Sequence, residues 1–77
     1  MAVSEQAKLR VLVADDHPPT RAGVRTSLEA DHCVVVAEVP DAQKAIAAAE
    51  QHRPDVCLLD IHMPGNGIAA AREISRR

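Results

Sequence analysis

The stretch "LRVLVADDHPPT", residues 9–20, determines how the rest of the chain is interpreted. Its first six residues are mostly aliphatic and predict a strand that is buried on both faces, as in a parallel sheet. Asp15 and Asp16 follow at once and mark the carboxyl end of that strand. Pro19 suits a first helical turn, because the missing N–H has no helical partner there, and it predicts a helix over residues 20–30. The stretch therefore predicts a β-α unit with two acids at its junction.

A second β-α unit follows. Residues 33–39, "CVVVAEV", are β-branched and predict a short strand that ends at Pro40, which cannot donate to a sheet. Asp41 is a good helix cap, and residues 42–52, "AQKAIAAAEQH", are rich in the strongest helix former. Helical spacing predicts a narrow apolar face made of Ala42, Ala45, Ile46 and Ala49.

The third unit starts at residues 55–60, "DVCLLD", which predict a strand. The loop "IHMPGNG" follows, and Gly67 is expected to provide flexibility there. Ile68, Ala71 and Ile74 then resume helical spacing to the C-terminus. The order β-α-β-α-β-α predicts an α/β fold with a parallel sheet, right-handed crossovers and helices on the sheet faces.

Composition narrows the possible function classes. The 77 residues suit one small domain, with residues 1–8 expected to be flexible and residues 9–77 to be folded. The chain has no aromatic residue and a net charge of -2, so direct nucleic-acid binding by this chain is not expected. No apolar run approaches the roughly 18 residues of a membrane span, which favours a cytoplasmic protein without membrane contact. Cys33 and Cys57 lie in apolar runs and are interpreted as reduced core residues.

Three acids fall at the ends of predicted strands. Asp15 and Asp16 follow the first strand, and Asp60 ends the third. In open parallel sheets, ligands bind beyond the carboxyl ends of the strands. If strands 1 and 3 are neighbours, these carboxylates come close together and repel each other unless a cation intervenes. Mg²⁺ prefers oxygen ligands and often binds beside a phosphate, so the pattern predicts a magnesium site.

The segments "VLVADDHPPTRAGV" (11–24) and "LLDIHMPGNG" (58–67), together with the alternating units, resemble the receiver domain of bacterial two-component response regulators, which has a flavodoxin-like fold. In that family a histidine kinase passes a phosphoryl group to an aspartate. The resemblance implies that Asp60 is this phosphoacceptor. It also implies that Asp15 and Asp16 hold Mg²⁺ directly or through water, and that Asp60 and the backbone carbonyl of His62 complete the protein ligands.

The motif "DDH", followed by Arg21 and Gly23, is further similar to the LuxR class, whose receiver controls a DNA-binding domain that is absent from this chain. The resemblance covers residues 9–77 and matches the first three of the family's five β-α units. The family's later Ser or Thr and its Lys, which contact the phosphoryl group, have no counterpart here.

A family-like strand order of 2-1-3 would leave the third strand at an edge, and exposed apolar edges pair with other chains. The chain is therefore expected to form a homodimer or a larger self-assembly. The same order separates Cys33 and Cys57 by about 10 Å, two strand spacings, which is too far for a disulfide.

Two other functions fit the residues. Asp15, Asp16, His17, Asp60 and His62 offer mixed oxygen and nitrogen ligands to a transition metal such as Zn²⁺, Mn²⁺ or Ni²⁺. Alternatively, the chain is an inactive self-associating fragment in which the acids have no phosphoryl chemistry. A turnover enzyme is not expected, since the sequence has no nucleophile-base constellation and no Gly-rich phosphate loop.

Overall fold

The structure is a computed structural model in which residues 8–76 are described, and its secondary structure alternates throughout. The elements are β1 (Arg10–Ala14), α1 (Pro18–Ala30), β2 (Val34–Val39), α2 (Ala42–His52), β3 (Val56–Leu59) and α3 (Gly67–Ser75). The predicted β-α-β-α-β-α order is confirmed. Helix α1 begins two residues earlier than predicted, because both prolines fit a first turn whose N–H groups need no helical partner. The predicted flexible segment 1–8 lies, except for Lys8, outside the described residues.

The three strands form one parallel sheet in the order β2-β1-β3. Leu12 of β1 lies opposite Ala37 of β2 and Cys57 of β3, with a register shift in the β1-β2 pair between Val11 and Leu12. The central strand is the most deeply buried, with its last four residues at most 2% exposed. The sheet confirms the predicted fold class and brings the ends of β1 and β3 side by side.

The main core lies between the sheet and helices α2 and α3. It is built mostly from small side chains, as the composition requires, and comprises Leu12, Ala14, Ala42, Ala45, Ala48, Ala49, Met63 and Ala70. Side chains alternate along a strand, so Val11 and Val13 point to the opposite face, where α1 packs. Val24 and Leu28 of α1 are only half-buried there. The sheet face beneath α1 is therefore the less covered of the two.

The buried face of α3 is not the line of apolar residues that sets its helical spacing. Ile68 is 56% exposed and Ala71 is exposed, whereas Ala70 is buried and Ile74 is half-buried. The start of α3 lies against the backbone of Asp60. This close approach requires small residues on the inner side of the helix, so the larger Ile68 lies outside. The helical spacing of Ile68, Ala71 and Ile74 therefore predicts the helix correctly but does not mark its buried face.

Helix α2 is fixed at its start by two contacts. The Asp41 side chain accepts a hydrogen bond of 2.8 Å from the backbone N–H of Lys44, which confirms the predicted cap. Such caps typically contribute about 1 kcal/mol to stability. The N–H of Ala42 donates to the Pro64 carbonyl at 3.0 Å. This second contact attaches the loop after β3 to the start of α2.

Both cysteines are free thiols and half-buried, and Cys57 packs against the core as expected. Burial raises the pKa of the Cys57 thiol, which disfavours the reactive thiolate. Among residues 8–76, helices long and apolar enough to span a bilayer are absent.

Candidate phosphoacceptor and metal site

The acids after β1 and β3 are held in place by hydrogen bonds that continue the sheet. The N–H of Asp15 donates to the Val39 carbonyl at 3.0 Å, and the N–H of Asp60 donates to the Ala14 carbonyl at 2.9 Å. Each acid is therefore the first residue beyond its strand and still belongs to the sheet's hydrogen-bond ladder. This backbone arrangement fixes the direction in which both side chains leave the sheet.

The carboxylates of Asp15, Asp16 and Asp60 form one cluster. Each contributes a ligand oxygen, and these oxygens all lie within 4.8 Å of one another. Asp15 and Asp60 are half-buried, and Asp16 is exposed. The structure thus brings together the three acids that the sequence places at strand ends.

The carboxylates of Asp15 and Asp60 are oriented by the same kind of local hydrogen bond. Asp15 Oδ1 accepts the N–H of His17 at 2.8 Å, and Asp60 Oδ1 accepts the N–H of His62 at 2.9 Å. Side-chain acceptors two residues before a backbone donor are typical of Asx turns. In both residues the hydrogen bond to Oδ1 orients the carboxylate and leaves Oδ2 without a backbone partner, while Oδ1 keeps a second lone pair for a cation.

The donor set of this cluster fits a hard divalent cation. Three carboxylates at such short separation repel one another, and the repulsion is relieved when a cation binds between them. All the donors are oxygens, which Mg²⁺ prefers to the nitrogen and sulfur ligands of softer metals. The half-buried positions of Asp15 and Asp60 also limit screening by salt.

The histidines flanking the acids do not join the cluster. Neither imidazole contributes to the group of side chains that meets at the strand ends. His17 Nδ1 instead contacts Thr20 Oγ1 at 2.6 Å, which directs that ring along the first turn of α1. The geometry therefore disfavours the mixed-ligand transition-metal site that the sequence left open.

The loop after Asp60 is anchored by a residue whose burial the sequence did not reveal. Met63 is 3% exposed and packs in the core, and its N–H donates to the Asp60 carbonyl at 3.3 Å. Gly65 has a φ of +92°, in the region that favours glycine. Asn66 also has a positive φ and caps α3 by accepting the N–H of Ala69 at 3.1 Å. The loop is thus closed at both ends by hydrogen bonds.

Gly67 is required for close approach rather than for flexibility. A Cβ atom added at this position would lie 2.6 Å from the Asp60 carbonyl oxygen and 3.0 Å from Ile61 Cα. Both are backbone atoms that cannot move aside as a flexible side chain would. The expectation of a flexible glycine is replaced by a packing constraint that places the start of α3 directly behind the Asp60 backbone.

Arg21 also belongs to the site, although the sequence indicates only its place in the motif that resembles the LuxR class. Its Nη1 donates to the backbone carbonyl of Asp15 at 2.7 Å, and its side chain is 20% exposed. The signal in the sequence is its spacing, six residues after a strand-end acid and within the first turn of the following helix. The same spacing is compatible with a solvated arginine, so the pattern alone does not reveal this contact.

An open groove of about 370 Å³ adjoins the acids on the α1 side of the sheet. It is lined by Asp15 and Asp60 together with Val13, Val24 and Leu58. Leu58 is 41% exposed in this groove. A groove of similar volume near Arg53 and Ile74 lies away from the carboxylate cluster.

Comparison with protein families gives a match over most of the chain. The model of the response regulator receiver domain matches residues 11–77. The transcriptional regulatory protein NarL of Mycobacterium tuberculosis is 44% identical over 66 residues, which cover 84% of this chain and 31% of the relative. DegU of Brevibacillus brevis, also a transcriptional regulatory protein, is 38% identical over 72 residues, covering 91% of this chain and 30% of DegU. The chain thus spans about a third of the length of these relatives.

Solved structures show the same similarity. The signal receiver domain of NarL from Mycobacterium tuberculosis aligns with a TM-score of 0.85 and 41% identity, covering 90% of this chain and 57% of that one. RcsB from Salmonella enterica serovar Typhimurium, bound to promoter rprA with the phosphomimetic BeF3-, aligns with a TM-score of 0.80 and 33% identity. That alignment covers 91% of this chain and 42% of RcsB. These matches favour the receiver interpretation over the transition-metal module and the inactive fragment.

Proposed function

The chain belongs to the family of response regulator receiver domains, and we propose that Asp60 accepts a phosphoryl group from a sensor histidine kinase in a Mg²⁺-dependent reaction. One observation carries the proposal: the carboxylate oxygens of Asp15, Asp16 and Asp60 converge within 4.8 Å beyond the ends of adjacent parallel strands. Among the three acids, Asp60 lies in the loop that is fixed by Met63 and by the start of α3. The resemblance of "LLDIHMPGNG" to the family's acceptor segment supports Asp60 as the acceptor among the three.

The metal ligands in this proposal are the carboxylates of Asp15, Asp16 and Asp60 and the backbone carbonyl of His62. Bound Mg²⁺ supplies positive charge that offsets the charge of the three acids and of the phosphoryl oxygens. The Asx turns at Asp15 and Asp60 orient their carboxylates before any cation binds. This preorganisation reduces the conformational change that binding requires.

The chemical step is a transfer between two nucleophiles. Asp60 Oδ2 attacks the phosphorus of a phosphohistidine, and a new phosphorus–oxygen bond forms as the phosphorus–nitrogen bond breaks. The bonding electron pair returns to the imidazole nitrogen of the kinase, which then takes a proton from water. Oδ1 stays hydrogen-bonded to the N–H of His62, so the carboxylate keeps its orientation during the attack. The product is an acyl phosphate on Asp60.

Intact mass spectrometry tests this function directly. After incubation with Mg²⁺ and a small acyl phosphate donor, the chain is expected to gain one phosphoryl group. The adduct should be removed by hydroxylamine, which cleaves acyl phosphates but not phosphate esters. A matched sample with a metal chelator is expected to gain none. An adduct that forms equally well with the chelator, or that resists hydroxylamine, would contradict the proposal.

The longer protein that includes this domain is proposed to act in the cytoplasm as a transcription regulator of the LuxR class. The motif "DDH" with Arg21 and Gly23 supports this class, and the similar proteins NarL and DegU are transcriptional regulatory proteins. RcsB was solved on promoter DNA. Phosphorylation of Asp60 would control a DNA-binding domain, while the receiver itself makes no contact with nucleic acid.

Self-association of this chain is part of the proposal. Among residues 8–76, β3 pairs with β1 alone, and Val56 and Leu58 on β3 are 38% and 41% exposed. An unpaired edge with exposed apolar side chains favours strand pairing between copies.

Sedimentation velocity is expected to show a dimer or larger species that dissociates on dilution. Leu58→Lys should shift the equilibrium to monomer, whereas Gln43→Lys on the exposed side of α2 should not. A chain that is monomeric at every concentration would exclude this association.

A further inference from the structure

Arg21 contacts both ends of the short segment that carries Asp15 and Asp16. Its backbone N–H donates to the His17 carbonyl at 3.0 Å, in the first turn of α1. Its Nη1 reaches back and donates to the Asp15 carbonyl at 2.7 Å. One residue therefore links the end of β1 to the start of α1 across the segment that presents the acids.

The Arg21 guanidinium lies closer to the Asp15 carbonyl than to its other polar neighbour, Glu38. Arg21 Nε is buried without a hydrogen-bond partner, and it lies 3.7 Å from Glu38 Oε1, beyond hydrogen-bonding distance. That contact is still an ion pair, but Glu38 is held more closely by Arg25, whose Nη1 is 2.5 Å from Glu38 Oε2. The hydrogen bonds that Arg25 donates to Glu38 and to Glu29 raise the pKa of Arg25 above its usual value. Glu38 thus pairs mainly with Arg25, while the short hydrogen bond of Arg21 goes to the Asp15 carbonyl.

Holding the Asp15 carbonyl also positions Asp16. The carbonyl of Asp15 and the N–H of Asp16 belong to one planar peptide unit, so fixing one fixes the orientation of the other. The N–H of Asp15 is bonded to Val39, and its Oδ1 is bonded to the N–H of His17. With the carbonyl held by Arg21, every polar group of Asp15 except Oδ2 has a partner within the chain.

We propose that Arg21 is a positioning residue that holds the peptide between Asp15 and Asp16 in the orientation needed to bind a divalent cation. This inference rests on the proposed magnesium site. It assigns Arg21 a role through the Asp15 backbone, not through contact with the cation or the phosphoryl group. A charge-assisted hydrogen bond to a backbone carbonyl is strong enough to set such an orientation.

Arg21 could act as a nearby positive charge or as a positioning residue, and the two roles predict opposite changes in Mg²⁺ affinity when it is replaced. If Arg21 acts only as a nearby positive charge, its removal strengthens the attraction between the acids and Mg²⁺, and the affinity rises. If it positions the peptide, its removal lets the Asp15–Asp16 segment reorient, and the affinity falls. Loss of a residue that orients a metal ligand typically lowers affinity by about 10- to 100-fold. The sign of the change therefore separates the two roles.

The experiment is a titration with Mg²⁺ alone, followed through the backbone amide signals of Asp15, His17 and Asp60 in NMR spectra. Arg21→Met is expected to raise the Kd for Mg²⁺ about tenfold. Arg25→Met is the matched control, since it removes an arginine from the same helix and from Glu38 without touching Asp15. It should leave the Kd within about twofold, because the Arg25 charge is exposed and is screened by salt. Arg21→Met binding Mg²⁺ as tightly as the parent chain, or more tightly, would overturn the proposal.

A metal-free measurement distinguishes failure of this inference from failure of the proposed function. Amide exchange of His17, whose N–H is bonded to Asp15 Oδ1, is expected to accelerate in Arg21→Met and not in Arg25→Met. If the parent chain binds no Mg²⁺, the magnesium site fails, and this exchange still decides whether Arg21 orders the segment. Arg21→Lys keeps a donor and should restore part of the protection and of the affinity. If Arg21→Met does not fold, Arg21→Lys is measured in its place. Loss of His17 protection in Arg21→Lys without a change in its affinity for Mg²⁺ would then overturn the proposed role.

Discussion

An Asp60→Asn variant is expected to gain no phosphoryl group under conditions in which the parent chain becomes fully modified. An amide oxygen is a far weaker nucleophile than a carboxylate, and attack by the amide does not give a stable acyl phosphate. The substitution preserves the local structure, because Asn Oδ1 can still accept the N–H of His62. Intact mass spectrometry with Mg²⁺ and an acyl phosphate donor measures the result, and the expected change is complete loss of the adduct.

The control for this prediction is Asp31→Asn. Asp31 is an exposed acid at the end of α1, and it uses backbone groups for its hydrogen bonds there. The variant changes the net charge by the same amount and should be modified like the parent chain. If Asp60→Asn still acquires the adduct, the phosphoryl group resides on another carboxylate of the cluster, and Asp60 is not the acceptor.

The backbone placement of the acids follows from simple sequence rules. Aliphatic runs that stop at Asp15 and Asp60 define the ends of two parallel strands, and parallel strands present those ends at the same edge of the sheet. Pro40 and Asp41 mark a strand end and a helix cap for equally local reasons. These features depend on the residue and its immediate neighbours, which is why sequence reasoning predicts them.

The contacts that complete the site depend on distances between elements, and sequence reasoning missed them. Nothing in the spacing of Arg21 reveals that its side chain reaches the Asp15 carbonyl. Ile68 lies at helical spacing with Ala71 and Ile74, but the docking of α3 against Asp60 leaves it exposed. Met63 looked like a loop residue and is buried. Each of these outcomes is set by where one element docks on another, which a local pattern does not encode.

The approach of α3 to Asp60 leads to a prediction about Gly67. A Gly67→Ala variant is expected to lower the free energy of unfolding by about 2–3 kcal/mol, as overpacking at a rigid contact typically does. The added methyl group would lie 2.6 Å from the Asp60 carbonyl oxygen, so the helix or the acceptor loop must shift. For a domain of this size, the melting temperature should fall by about 10 °C or more. Urea and thermal unfolding followed by circular dichroism measure both quantities.

Gly23→Ala provides the matched control, because it makes the same chemical change in the interior of α1. No atom lies within 4 Å of a Cβ built there, and the residue is exposed. Alanine should therefore stabilise the chain by about 0.5–1 kcal/mol through its higher helix propensity. The two glycine variants are thus expected to change stability in opposite directions. Equal stability of Gly67→Ala and the parent chain would mean that α3 does not press on the Asp60 backbone.

The two glycine variants also test whether the packing of α3 affects the phosphorylation of Asp60. In Gly67→Ala, the Asp60 peptide can relieve the clash by moving away from α3, which displaces its carboxylate from those of Asp15 and Asp16. The phosphoryl adduct should then form more slowly at a temperature where the variant remains folded, whereas Gly23→Ala should be modified at the parent rate. Parent-like modification of a strongly destabilised Gly67→Ala would mean that α3 moves instead. The acceptor geometry would then be set by the hydrogen bonds of Asp60 to Ala14 and His62 alone.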